Sequence, residues 1–201
     1  FLDGIILIYF NWVYTYMKPQ LVLPVKLIMG VLYSDQTALA TAKRLLEEKY
    51  GRIDYISPSY KFDVSDYYDS EMGTPIYRLF YSVNELIFPD EIVRIKLETN
   101  AIEDGLAIEK SRKINLDPGY LDYDKLVLAS AKYNWAKIYL DKGIFADMTL
   151  RYKDGTYSAL PWSFPDFKSG RYTEAMLHVR ALYKGQLRKY RKAHNISNSF
   201  R

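Results

Sequence analysis

The sequence predicts an α+β fold in which helices pack on an antiparallel sheet. Three observations predict it: short apolar or alternating runs typical of strands, helical segments between them, and hairpin turns in the second half of the chain. Of the 201 residues, 49% are hydrophobic and 26% are charged, which is typical of globular proteins with a sizeable core. We therefore expect a single α+β domain over residues 17–201.

The first segments predict a strand followed by a helix. Val25–Tyr33 is a short, continuous apolar run and predicts a buried strand. The next segment, Thr37–Tyr50, has apolar residues on one helical face. Ser34 or Asp35 is suited to cap this helix, and Gly51 is suited to end it.

Two strands and a second helix follow. Arg52–Asp63 alternates and predicts a strand, with Pro58 at an edge or a bulge. Residues 66–74 predict a loop, and Ile76–Val83 predicts the third strand. The periodic apolar residues of Glu91–Ile108 then predict a helix.

A fourth strand completes a recognisable order. Lys113–Leu116 predicts this strand, and the turn-forming sequence Asp117-Pro118-Gly119 is expected to end it. The resulting order, β-α-β-β-α-β, is that of a ferredoxin-like core with helices on one face of an antiparallel sheet. Leu121–Lys132 then predicts a short helix.

The remaining segments predict extra antiparallel strands and a C-terminal helix. The strands are Ala136–Leu140, Ile144–Tyr152 and Thr156–Leu160, joined by glycine-containing turns at 141–143 and 153–155. Thr173–Lys192 has an apolar stripe that is expected to dock on the body of the protein.

Residues 1–16 are apolar and aromatic but too short to span a bilayer, which requires roughly 20 apolar residues. They also lack the basic start and small-residue cleavage site of a signal peptide. We interpret them as an upstream or fragment segment outside the fold, with Met17 as the natural start and the protein in the cytoplasm. The alternative is a truncated membrane anchor.

Composition excludes several kinds of site. The chain has no cysteine and only two histidines, His178 and His194, which excludes disulfides, thiolate zinc sites, cysteine nucleophiles and histidine-rich metal sites. A bound metal would therefore need oxygen ligands, as Mg²⁺ or Mn²⁺ does. The chain also lacks a P-loop, a Rossmann glycine motif and a G-x-S-x-G elbow.

Charge is unevenly distributed along the chain. The net charge is +4, yet the segment from Lys168 onward carries nine Lys or Arg residues and one acidic residue. This segment gives the last helix a basic side, which predicts binding of RNA or of an acidic partner. The alternative is a basic side that is only solvated and suits the dipole of the helix C-terminus. The residues of this predicted surface are Arg180, Lys184, Arg188, Lys189, Arg191 and Lys192.

Three polar or aromatic segments are candidates for a ligand site. They are KFDVSDYYDSEMG with its dense carboxylates, NLDPGYLD around the proline turn, and LPWSFPDFK, whose tryptophan could stack a base or a sugar. Each also has a purely structural interpretation: a solvated acidic loop, a turn, and a loop packed on the core. The predicted ligand residues in these segments are Asp63, Asp66, Tyr67, Glu71, Asn115, Asp117, Tyr120, Trp162 and Asp166, and Asp147 from the strand Ile144–Tyr152 is predicted to join them.

The leading hypothesis is a binding module for a nucleotide, a phosphate-bearing ligand or a cationic ligand, in a loop-lined acidic and aromatic pocket. One alternative is an enzyme that uses these carboxylates to hold Mg²⁺ or Mn²⁺ and acts on a phosphoester. Another is a protein that binds RNA or a partner through the basic helix. No catalytic residue is assigned. The leading hypothesis requires Glu71, Tyr120 and Trp162 to share one pocket.

Several segments resemble one family, domain-of-unknown-function family 4416, an uncharacterised bacterial family whose members are often labelled GTP-binding proteins. The resemblance is carried by PVKLIMGVLYSD, FDVSDYYDSEMG, KLETNAIE, RKINLDPGYLDYDKLVLASAK, KIYLDKGIFADMTLRYKDG and LPWSFPDFKSGRY. Two positions depart from it: Ala136-Lys137 stands where relatives tend to have His-Arg, and Asp141 where they have Gly. The resemblance implies no established activity, and the sequence has no motif that supports the GTP label.

Overall fold

The computed structural model describes residues 19–108 and 111–197. The predictions for residues 1–16 lie outside the described residues. Among the helices that the structure describes, none is both long and apolar enough to cross a membrane.

Nine strands and five helices make up the described fold. The strands are β1 (Val25–Tyr33), β2 (Ile53–Ile56), β3 (Tyr60–Lys61), β4 (Tyr77–Ile87), β5 (Ile114–Leu121), β6 (Lys125–Ser130), β7 (Ile138–Asp141), β8 (Ile144–Lys153) and β9 (Thr156–Ala159). The helices are α1 (Gln36–Tyr50), α2 (Asp69–Met72), α3 (Ile92–Gly105), α4 (Pro165–Lys168) and α5 (Thr173–Ala193), and a 3₁₀ turn (Pro89–Glu91) precedes α3.

All nine strands belong to one antiparallel sheet. The spatial order is β2-β4-β1-β5-β6-β8-β7, while β3 also pairs with β4 and β9 also pairs with β8. The structure thus confirms an α+β fold with an antiparallel sheet and a C-terminal helix. The sheet is continuous from the first strand to the hairpins of the second half.

Alternation along β1 separates the two faces of the sheet. Met29 and Val31 pack with α1 and α3 on one face, and Ile28 packs with Met176 and Val179 of α5 on the other. The sheet therefore lies between two helical layers, with α5 on the face opposite to α1 and α3.

The structure contradicts two of the predicted elements. The predicted turn Asp117-Pro118-Gly119 lies inside strand β5, and the predicted helix Leu121–Lys132 is instead a turn followed by strand β6. The Asp122 side chain accepts hydrogen bonds from the backbone N–H groups of Asp124 and Lys125 and forms this turn. In the sheet, where β6 pairs with β8, Leu126, Val127 and Ala129 are buried, and this long-range contact overrides the local helical pattern.

Smaller differences occur where the predicted elements were too long or too simple. The predicted strand Arg52–Asp63 is two short strands, interrupted at Pro58. The predicted loop over residues 66–74 contains helix α2, and the segment before α5 contains helix α4, which the sequence did not predict. Asp35 caps α1 by accepting a hydrogen bond from the N–H of Ala38, as one of the two predicted caps.

Candidate ligand-binding cleft

Strands β5 and β6 diverge and open a cleft in the sheet. Their ladder runs only from Leu121 and Leu126 to Gly119 and Leu128. Beyond that point β5 pairs with β1 alone, and β6 continues with β8. The space between them is a cleft of about 770 Å³, within the usual range for small-molecule sites.

Two side chains of α3 take the place of the missing strand at Leu116. The Leu116 N–H donates to Glu103 Oε1 at 2.8 Å, and Lys96 Nζ donates to the Leu116 carbonyl at 2.9 Å. A neighbouring strand would normally bond these two backbone groups. Buried backbone groups need such partners, so Lys96 and Glu103 stabilise the open side of β5.

The Asp-Pro-Gly sequence defines where the two strands separate. Backbone groups alternate in direction along a strand, so Pro118 faces the same side as Leu116 but has no N–H to donate to β6. One residue later, a Cβ on Gly119 would collide with the Val127 carbonyl and lie 2.7 Å from Leu128 Cδ2. Pro118 thus ends the hydrogen-bonded ladder between β5 and β6, and Gly119 permits the close approach of Val127 and Leu128 at the last pair before the cleft.

A charged network forms one wall of the cleft around Arg112. Its guanidinium donates to both carboxylate oxygens of Glu71, to Glu103 Oε2 at 2.6 Å and to Asn115 Oδ1 at 3.2 Å. Asn115 in turn donates to Asp117 Oδ2 at 2.8 Å. Burial raises the pKa of Glu103, which is 2% exposed, although Lys96 and Arg112 oppose this shift.

Arg78 is a buried cation whose hydrogen-bonding capacity is largely unused. The side chain is 4% exposed and its Cζ lies 5.4 Å from the ring centroids of both Phe62 and Phe167. Nε lies 2.9 Å from Asp166 Oδ2, but its N–H does not point at that oxygen, so the contact is an ion pair without a hydrogen bond. Neither Nη atom bonds to any residue in the described parts of the chain, and Arg78 lines the cleft.

Asp147 places a carboxylate oxygen without a partner in the same cleft. Its Oδ1 is buried and has no hydrogen-bond partner among the described residues, and its Oδ2 lies 3.6 Å from Lys137 Nζ. Burial raises the pKa of Asp147, Lys137 opposes the shift, and the nearby Asp117 carboxylate reinforces it. The cleft therefore offers both unused guanidinium donors and an unused carboxylate acceptor.

Aromatic rings surround the mouth of the cleft. Trp162 donates its indole N–H to the Met148 carbonyl at 3.0 Å, which fixes the ring in the lining. Tyr67, Tyr133 and Phe164 also line the cleft and are exposed to solvent. Flat rings at the mouth of a charged cleft are suited to stack a base or a sugar.

Five of the predicted ligand residues line this cleft: Tyr67, Asn115, Asp117, Asp147 and Trp162. Glu71 contributes through its two bonds to Arg112. The acidic residues are offset by basic ones, so the lining has mixed charge rather than the acidic character that the sequence predicts. The charged residues of the lining are Arg78, Lys96, Arg112, Lys132, Lys137, Glu103, Asp104, Asp117 and Asp147.

The other four predicted ligand residues lie elsewhere. Tyr120 packs beside the cluster of Leu27 and α3, on the face of the sheet away from α5, and does not line the cleft. Asp63 pairs with Arg171 at 3.1 Å and lies with Asp66 along a separate shallow depression. Asp166 is fully buried and accepts a hydrogen bond from the Tyr172 hydroxyl.

The predicted sharing of one pocket by Glu71, Tyr120 and Trp162 is therefore not what the structure shows. Trp162 lines the cleft and Glu71 reaches it through Arg112, whereas Tyr120 follows the strand alternation to the opposite side. The sequence predicts Tyr120 as a ligand residue because it directly follows the predicted turn. Once Asp117-Pro118-Gly119 is part of a strand, alternation separates neighbours onto different faces.

The sequence analysis missed the cations of the cleft, and two of them, Arg78 and Lys96, lie inside a strand and a helix rather than in loops. Lys96 and Glu103 interrupt the buried face of α3, which also carries Ile92, Ile95 and Thr99. A charged pair on an otherwise apolar stripe is a usable signal, since such groups are rarely buried without partners. Arg78 similarly interrupts an apolar strand.

The alternative hypothesis, a Mg²⁺- or Mn²⁺-dependent enzyme, requires several carboxylates around one ion. The described residues do not form such a site. Within residues 19–108 and 111–197, no group of three or more acidic or histidine side chains is placed to hold a metal ion. Asp117 and Asp147 share the cleft, whereas Asp63, Asp66 and Asp166 are bound elsewhere or face away.

The predicted basic surface of α5 is only partly exposed. Arg180 donates to the Tyr123 carbonyl and lies 3.6 Å from the centre of the Tyr152 ring, and Arg191 is buried. The exposed members of the predicted set are Lys184, Arg188, Lys189 and Lys192.

A family model described as "Domain of unknown function (DUF4416)" matches residues 23–183. The chain belongs to this family. The match contains β1 to β9 and every cleft residue named above, so the cleft lies wholly within the DUF4416 domain. No curated protein and no solved structure matches the chain.

Proposed function

We propose that the β5–β6 cleft binds a phosphate-bearing small molecule of nucleotide size. The observation that carries this proposal is Arg78, a buried guanidinium that lines the cleft without hydrogen bonds at its Nη atoms. The Asp166 carboxylate balances the charge of Arg78 but leaves its Nη donors open to the cleft, where a bound anion would accept hydrogen bonds from them. The guanidinium fork matches two oxygens of a phosphate.

Asp147 supports a ligand that also carries hydrogen-bond donors. Its buried Oδ1 accepts nothing from the described residues, and like charge prevents it from contacting a phosphate. An amino group or ring N–H of a base, or a ribose hydroxyl, would satisfy it. A nucleotide combines the phosphate for Arg78, the donor for Asp147 and a flat ring for Trp162 or Tyr67.

Thermal denaturation with a panel of ligands tests this proposal. Nucleoside mono-, di- and triphosphates and sugar phosphates are compared with the same nucleosides and sugars without phosphate. A ligand at 100 times its Kd stabilises the folded state by about 2.7 kcal/mol, which raises the Tm by several degrees. We expect the Tm to rise with phosphate-bearing compounds and to remain unchanged with their phosphate-free counterparts.

A matched pair of Arg-to-Lys variants assigns the effect to the cleft. Arg78→Lys keeps the positive charge beside Asp166 but loses the planar fork, so the ligand-induced rise in Tm should fall sharply. Arg44→Lys makes the same change on an exposed part of α1 and should keep the full rise. Absence of any phosphate-dependent rise, or an unchanged rise in Arg78→Lys, would overturn the proposal.

We further propose that β1, α1, β2, β4, α3 and β5 form a ferredoxin-like core to which the later strands and α5 are added. The chain order β-α-β-β-α-β and the spatial order β2-β4-β1-β5 support this interpretation. In this interpretation the cleft lies at the junction between the core and its extension. That junction is where new binding residues can be added without altering the core packing.

A further inference from the structure

The segment that follows β6 presents exposed rings and cations at the mouth of the cleft. It reads Lys132-Tyr133-Asn134-Trp135-Ala136-Lys137. Tyr133 is 75% exposed and Trp135 is 76% exposed, which is unusual for large aromatic residues. The core of the described fold does not require these two rings, so their exposure calls for another explanation.

Exposed aromatic residues are concentrated around this segment. Six aromatic residues in the described parts of the chain are exposed, and five lie at the cleft or on the adjoining β7–β8 hairpin: Tyr67, Tyr133, Trp135, Tyr139 and Phe164; Phe88 lies elsewhere. Trp135 contacts Trp162 edge to face, with 6.0 Å between the ring centroids, and Tyr133 contacts Phe145 in the same way, with 5.8 Å between the centroids. The rings therefore continue outward from the lining of the cleft.

Cations accompany the rings along the same path. Lys132 lies 4.7 Å from the centre of the Tyr67 ring and donates to its hydroxyl, and it pairs with no carboxylate among residues 19–108 and 111–197. Lys137 reaches the interior of the cleft beside Asp147. Lys142 is exposed at the tip of the β7–β8 hairpin. Alternating rings and cations match a chain of bases and phosphates.

We propose that the cleft receives one nucleotide of a single-stranded nucleic acid and that Tyr133 and Trp135 stack the neighbouring bases. This inference rests on the proposed phosphate-binding role of Arg78. The core of a protein–protein interface is typically depleted of lysine. The mouth of the cleft instead interleaves rings with lysines, and it continues into a pocket that contains unused anion-binding donors.

Fluorescence anisotropy with a labelled uridine octanucleotide tests the inference. We expect the octanucleotide to bind at least about tenfold more tightly than uridine monophosphate, since each stacked base adds affinity. Raising salt from about 50 mM to 200 mM should weaken the octanucleotide complex, because counterions are released on binding. The monophosphate is measured by competition against the same probe.

Variants at exposed positions separate stacking from folding. Trp135→Ala, which removes a ring outside the lining of the cleft, should weaken octanucleotide binding about tenfold or more and leave monophosphate binding unchanged. Tyr133→Ala removes a ring of the lining and should weaken octanucleotide binding more than monophosphate binding. Phe88→Ala, which removes an exposed ring away from the cleft, should leave both affinities unchanged. An unchanged Tm for all three variants checks that the fold is intact.

The outcomes distinguish this inference from the proposal on which it rests. If the monophosphate binds through Arg78 but the octanucleotide binds no more tightly, the strand inference is wrong and the cleft proposal stands. If neither ligand binds, both are wrong. If Lys184→Glu with Arg188→Glu abolishes octanucleotide binding while the ring variants do not, nucleic acid binds at α5 and the inference is overturned.

Discussion

Lys26 and Arg78 are both buried cations, on the adjacent strands β1 and β4, but their surroundings differ. Lys26 is fully buried and donates to Asp54 and to Gln186, while Ser82 and Gln186 donate to the two oxygens of Asp54. Arg78, on the adjacent strand β4, has one ion pair and no hydrogen bond to a described residue.

The difference separates a structural network from a binding site. Groups from β1, β2, β4 and α5 complete the network around Lys26, so a ligand has no unused donor to bind there. Burial lowers the pKa of Lys26 and the Asp54 carboxylate opposes that shift, which is typical of an internal ion pair. In the cleft the protein leaves donors and acceptors unused, which is costly unless a ligand binds them.

The largest expected effect on stability is in the complete network. Lys26→Met leaves the Asp54 carboxylate buried without its cation and should lower the free energy of unfolding by about 3–5 kcal/mol. Chemical denaturation measures this change. Arg44→Met breaks an exposed pair with Glu48 on α1 and should cost less than about 1 kcal/mol.

Ligand affinity in the cleft should be unchanged in Lys26→Met when it is measured under conditions where the variant is folded. A loss of affinity as large as that in Arg78→Lys would show that the two regions are not separate.

Gly119 tests whether the point of divergence sets the width of the cleft. In Gly119→Ala the new methyl group meets the Val127 carbonyl and Leu128, so β5 and β6 must move apart. We expect a loss of about 1–3 kcal/mol in stability and weaker ligand binding. Denaturation and the nucleotide panel measure the two effects.

Gly185→Ala is the matched control. Gly185 lies within α5, and a Cβ there would have no atom within 4 Å outside its own helix. The substitution should raise stability by roughly 0.5–1 kcal/mol and leave binding unchanged. Equal behaviour of the two alanine variants would contradict the role assigned to Gly119.

Arg112→Lys tests the wall of the cleft. Lysine cannot reproduce the fork to Glu71 together with the bonds to Glu103 and Asn115, so we expect a loss of about 1–2 kcal/mol. The rate of amide hydrogen exchange should rise first in α2, because this helix contains Glu71, whose carboxylate binds Arg112. Arg94→Lys, in an exposed pair network on α3, should change stability by less than about 1 kcal/mol.

The smallest expected effect is the pH dependence due to Asp147. Because burial raises its pKa, the folded state holds the proton at pH values where the unfolded state has released it. This contribution to stability is present below the ordinary carboxyl pKa of about 3.9 and is lost as pH rises through the raised value. Asp147→Asn should remove that loss, so its stability should fall less over this range. Parallel curves for the two proteins would contradict this assignment.

Local signals predicted those elements that depend mainly on local interactions. The apolar run of β1, the capped helix α1, the two glycine turns and the amphipathic helix α5 all appear near their predicted bounds. The helix predicted after Leu121 was wrong because the structure of this segment depends on pairing with β8, whose partner residues lie 15 or more positions away in the chain. Pro118 was assigned to a turn because its sequence alone does not show that β5 has no partner strand on one side at this point. A proline is tolerated there because no N–H group is needed for a neighbouring strand.

The candidate site was predictable only in part. Trp162 and Asp117 were predicted because polar and aromatic residues near turns suggest binding, whereas Asp147 was predicted from the segment KIYLDKGIFADMTLRYKDG that carries the family resemblance. Arg78 and Lys96 were missed because Arg78 lies in a strand and Lys96 in a helix, where a charged side chain is usually interpreted as facing solvent. Their burial depends on how the sheet opens, and that opening depends on long-range strand pairing as well as on the Asp-Pro-Gly sequence.

The substitution of side chains for a strand at Leu116 also bears on aggregation. An exposed strand edge with unpaired backbone groups can recruit a strand from another molecule. Lys96 and Glu103 already occupy both backbone groups at this position, and Pro118 offers no donor. The cleft between β5 and β6 can therefore accept a small ligand or a nucleotide of a flexible strand, but it offers no unpaired backbone group at Leu116 to which a β-strand of another molecule could bond.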